Sequence, residues 1–95
     1  MNQTPSIGRI VHYSLADGTV RPALLVAVWS PETGCANLQV FVDGTNDLDH
    51  EFKKTGVTPE EAARGLAWRT SRQRSDEPKP NHWHWPPYVA PKAAT

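Results

Sequence analysis

The sequence holds a single cysteine, Cys35, so no internal disulfide can staple the fold and packing must hold it. It has no surplus of either charge, with ten Lys and Arg against ten Asp and Glu. Long nucleic acids are held largely by displacing counterions, so a neutral chain makes a poor partner for duplex DNA. No apolar run approaches the length needed to span a membrane, and MNQTPSIGRI has no signal-peptide core. These absences fit a cytoplasmic protein. There is also no G-x-S-x-G, no Gly-rich phosphate loop with Lys, no H-E-x-x-H and no paired cysteines. The chain therefore reads as a binder rather than an enzyme, and no cofactor is called for.

What remains is one small domain of 95 residues with nine prolines and six glycines. So short a chain buries a limited core, and self-association would bury more apolar surface, so a homo-oligomer is expected. Residues 1–6 read as a lead, 7–87 as the domain and 88–95 as a tail. A first strand is expected from Ile7 to Tyr13, closed by Asp17-Gly18, a strong hairpin turn signal. A second follows over Ala23–Trp29 and a third over Ala36–Val42, giving a meander. Residues 43–56 form a polar loop carrying Asp43, Asp47, Asp49 and Glu51. Thr58-Pro59-Glu60-Glu61 has the signature of a capping box, and Gly65 that of a helix stop. Leu66–Gln73 reads as a fourth strand and His82–Trp85 as a short fifth. The expected fold is mostly β: a small, partly open five-stranded barrel, SH3-like or OB-like, with one short helix.

The segment Asn81-His-Trp-His-Trp-Pro-Pro87 is the richest in chemistry. On a strand, Trp83 and Trp85 share one face and His82 and His84 the other. The indoles form either a platform that stacks nucleobases or an anchor of the core or an interface. The His-x-His pair has a spacing that can bring two imidazoles to a metal, with His12, His50, Cys35 or a carboxylate as further ligands. Histidines on a strand surface are the simpler reading. Arg64, Arg69, Arg72 and Arg74 cluster within eleven residues. Strand alternation puts Arg72 and Arg74 on one face and Arg69 on the other. They form either a phosphate clamp or a solvated face balancing the acidic loop. Asp43-Gly-Thr-Asn-Asp47 reads as a turn that contacts a ligand or as an ordinary Asx turn; it lacks the ligand spacing of a calcium loop.

These pieces together resemble a group of small proteins carried by tailed phages and prophages. The resemblance rests on Gly8-Arg-Ile-Val-His-Tyr13, Gly18, Arg21-Pro-Ala23, Asn37-Leu-Gln-Val-Phe41, Asp43-Gly44, Asn46-Asp47 and Trp83-His-Trp-Pro86. It covers most of residues 7–87, with a longer and more charged stretch over 45–80. It implies a compact barrel acting in the cytoplasm of a bacterial host. Among small phage proteins that blunt host defence are sponges that sequester cyclic nucleotide signals without cleaving them. On that reading the ligand is a small anionic nucleotide. Trp83, Trp85, Tyr13 and Trp68 stack its bases, Arg21, Arg69 and Arg72 neutralise its phosphates, and Asn46 and Asp47 read base or ribose edges. The other readings are a virion or assembly-associated interaction module, a single-strand nucleic-acid binder and, last, a metal-dependent enzyme using His82 and His84.

Overall fold

A computed structural model describes residues 4–50 and 54–87. Five strands and one helix follow in order: β1 (Ile10–Ser14), β2 (Val20–Ser30), β3 (Cys35–Phe41), α1 (Pro59–Arg64), β4 (Leu66–Arg72) and β5 (Trp83–His84). They form one antiparallel sheet in the order β4-β3-β2-β1-β5. Beyond the sheet proper, Arg74 bridges Trp83 in parallel, so the far edges approach each other and the sheet curls into a partly open barrel. Among the described residues no helix is long and apolar enough to cross a membrane. The expected 88–95 tail lies outside the described residues, as does Glu51 of the polar loop.

Local chemistry accounts for most of the element ends. Asp17-Gly18 turns β1 into β2: Gly18 sits at φ 92°, and the Asp17 carboxylate accepts the Thr19 amide at 3.0 Å. β1 begins three residues later than the composition of its segment suggests. Gly8 takes a positive φ of 88° and Ile7 is left exposed, so the regular ladder starts only at Ile10. The helix opens on the expected capping box, the Thr58 side chain accepting the Glu61 amide and the Glu61 carboxylate accepting the Thr58 amide. Gly65, in the left-handed region, ends it.

The core is built from the inward alternation of the strands: Val11 and Tyr13 on β1, Ala23 and Leu25 on β2, Ala36, Leu38 and Val40 on β3, and Ala67 on β4. Trp83 on β5 closes it, fully buried, and its indole N–H donates to the Gly34 carbonyl at 2.7 Å. A two-residue strand has little ladder of its own. Its place is secured by His12↔His84 and Tyr13↔Trp83 pairing and by two hydrogen bonds between Trp83 and the chain leaving β4.

Candidate functional site

The pairing of β3 with β4 decides where the arginines go. Leu38 faces Arg69 and Ala36 faces Arg72, so two residues on β3 span three on β4. The extra residue is a bulge over Thr70–Ser71, with Ser71 at φ 52°, a left-handed conformation unusual for serine. The Asn37 side chain holds it there: its Oδ1 accepts the Ser71 amide at 2.9 Å and the Trp29 indole N–H at 3.0 Å. Regular alternation would set Arg69 and Arg72 on opposite faces, as the sequence pattern implied. The bulge corrects this. Both lie opposite buried residues of β3 and share the inner face.

They line a cleft of about 370 Å³, together with Trp68, Thr55, Thr58 and Asn81. The two guanidinium groups differ in what they have left to offer. Arg69 reaches Glu61 Oε2 at 2.8 Å and the carbonyls of Trp68 and Gly56, so its fork is already occupied. Burial pushes the Glu61 carboxyl up, but hydrogen bonds from Arg69 and the Thr58 amide outweigh it and keep the group below its ordinary value. Arg72 makes no ion pair among the described residues, and its buried Nε has no hydrogen-bond partner. The Tyr13 hydroxyl is buried behind them and feels both arginines. Burial raises its pKa against the pull of Arg72 and Arg69, so it stays a neutral donor. An unpaired buried donor is costly, and Arg72 Nε in the lining of the cleft marks a place where an acceptor is wanted.

The other residues singled out by the sequence lie elsewhere. Arg21 and Asp47 hold each other: Nε to Oδ2 at 2.6 Å and Nη2 to Oδ1 at 2.7 Å, with Asp47 buried. Asp47 also accepts the Asp43 amide at 2.8 Å, while Asn46 donates backbone and side-chain bonds to the Asp43 carboxylate. This knot fastens the 43–57 loop to β2, and its polar groups face one another rather than the cleft. The Asx-turn reading of Asp43–Asp47 is therefore the one its geometry supports.

The proposed indole platform also needs correction. Trp83 has no exposed face, because it fills the core where the barrel closes. Tyr13 is likewise fully buried, so neither ring can stack a ligand from solvent. Trp85 meets Trp83 edge to face at 5.2 Å, carries the Arg9 guanidinium 5.0 Å above its ring, and lines a second cleft with His12, His84, Asp76 and Pro78. Trp68 is the aromatic that shares a cleft with Arg72. The histidines sort differently from their spacing: the His82 ring lies 2.9 Å from the Pro80 carbonyl, whereas His84 meets His12 across the strands at 5.6 Å. Among the described residues no three His, Cys, Asp or Glu side chains are placed to hold a metal ion. Arg74 pairs with Asp76 on the surface at 3.2 Å.

The chain matches no known family model, no curated protein and no solved structure.

Proposed function

We propose that this protein binds a small anionic nucleotide in the cleft between β4, the 55–58 segment and Asn81, and sequesters it without breaking a bond. One observation carries the reading: Arg72 lines the cleft with a buried Nε that has no hydrogen-bond partner, and the half-exposed Trp68 is among the other lining residues. A phosphate oxygen would satisfy that donor, and Trp68 beside it would offer a base an aromatic partner. At about 370 Å³ the cleft is near the lower end of ligand sites, which run from about 300 to 1,000 Å³. It suits one nucleotide unit of a ligand rather than a long strand. The resemblance to phage proteins gives the role, removal of a cyclic nucleotide signal that the host uses for defence.

Calorimetry against a panel of cyclic di- and trinucleotides and cyclic ADP-ribose isomers tests the reading, with the ligand recovered afterwards. Tight binding of one member, returned intact, is expected. Arg72→Ala removes charge-assisted hydrogen bonds of about 1.5–3 kcal/mol each, so it weakens binding roughly 10- to 150-fold. Trp68→Ala costs about 1–3 kcal/mol if one base stacks there. No binding by any member, or affinity indifferent to Arg72→Ala in a folded variant, overturns the proposal.

A further inference from the structure

Antiparallel sheets that face water on one side usually alternate apolar-in with polar-out. Here the outer face breaks that pattern. Register aligns Trp68, Gln39, Leu24 and Ile10 directly across β4, β3, β2 and β1, one outward residue per strand. Phe41 stands on the next outward position of β3, and Trp29 lies over Asn37 two positions the other way. Trp29 is 63% exposed, Ile10 64%, Trp68 46% and Phe41 42%. The chain carries twenty Lys, Arg, Asp and Glu residues, yet the outward positions of β2 from Pro22 to Trp29, of β3 and of β4 hold none. Loss of charge together with enrichment in aromatics is the mark of an interface core.

We infer that this outer face of β1–β4 is the contact surface of a homodimer, packed sheet to sheet against the same face of a second copy. Three features favour a second copy as the occupant. An uncharged face is complementary to itself, as a two-fold contact requires. The chain has no net charge, so two copies do not repel each other at long range. Large side chains such as these bury about 150–250 Å² each when fully covered. The three aromatics and Ile10, each only about half exposed here, therefore offer roughly 400 Å², half of the roughly 800 Å² per partner in a standard interface. Leu24, Val26 and Gln39 around them enlarge the contact. Trp68 belongs to this face and is also among the residues lining the cleft, so the dimer contact lies beside the nucleotide site.

Sedimentation equilibrium of the full chain, without any nucleotide, tests this independently of ligand binding. A mass twice that of the chain is expected at micromolar concentration. Trp29→Asp and Gln39→Glu each place a charge on the face, at an exposed and a half-buried site, and should raise the dimer dissociation constant roughly tenfold or more while leaving the circular dichroism unchanged. Gln39→Glu, the milder change, decides the matter if Trp29→Asp perturbs the fold. A monomer at high micromolar concentration overturns the inference, as does an assembly whose mass survives both substitutions. Capture of a different protein by a monomeric chain would count against it as well.

Discussion

Replacing Asp47 with alanine should cost this protein more than any other change to an acidic residue. Its carboxylate is buried and accepts three hydrogen bonds, from Arg21 Nε at 2.6 Å, Arg21 Nη2 at 2.7 Å and the Asp43 amide at 2.8 Å. Breaking a buried ion pair by removing one partner costs about 3–5 kcal/mol. The Arg21 side chain is 28% exposed and can recover some water once it is freed, which argues for the lower part of that range. A loss of about 3–4 kcal/mol is expected, and for a domain of this size that lowers the thermal midpoint by roughly 12–30 °C. Arg21→Ala should be at least as severe, because it leaves a carboxylate that is 1% exposed without its cation. The double substitution should cost less than the sum of the two. Urea denaturation of the four proteins measures all of these terms. A loss below about 1 kcal/mol for Asp47→Ala would refute the view that this pair fastens the 43–57 loop. Hydrogen bonding from Arg21 holds the Asp47 carboxyl below its ordinary value. Its stabilisation is therefore fully present above the unfolded pKa of about 3.9 and fades as pH falls through the lower folded value.

Gly34→Ala places a methyl group against Arg74 Cβ and 3.2 Å from the Trp83 ring, at φ 78°; a loss of roughly 2–4 kcal/mol in chemical denaturation is expected. Asn37→Ala removes the acceptor that holds Ser71, so both stability, by about 1–2 kcal/mol, and nucleotide affinity should fall; unchanged affinity would detach the bulge from the site. His84 is held below its ordinary pKa by burial and by His12. Its neutral form is favoured in the fold, so stability should be complete above about pH 6.5 and decline as pH drops through the lower folded value. Denaturation midpoints between neutral and mildly acid pH measure this, and His84→Phe should flatten the profile.

The elements legible in the sequence are those whose cause is local. Asp17-Gly18 sets its turn with its own side chain and backbone, and Thr58 and Glu61 cap a helix across three residues. The site was harder to read, because it is made by register between distant strands. Arg69 and Arg72 share a face only because Asn37, on a neighbouring strand, draws Ser71 into a bulge. A period-two pattern has no means of recording that insertion. Likewise the Trp83–Trp85 pair looked like a surface platform because aromatic content says nothing of depth. Trp83 is interior because it lies opposite Tyr13 and reaches Gly34, forty-nine residues back. Asp47 looked like a ligand-reading group among other short polar residues, and only its partner Arg21 on β2 marks it as structural.

The closing of the barrel by Trp83 also bears on how the chain is made. β1 leaves the ribosome ahead of β5, and its outer edge stays open until the two residues of β5 arrive about seventy positions later. At about 5–20 residues per second that interval lasts roughly 4–14 s, during which β1 shows a free strand edge and the core lacks its largest side chain. Nascent chains stalled before Trp83 should therefore be held by chaperones or cleaved by proteases. Completion of this domain waits on the synthesis of β5 rather than accruing strand by strand.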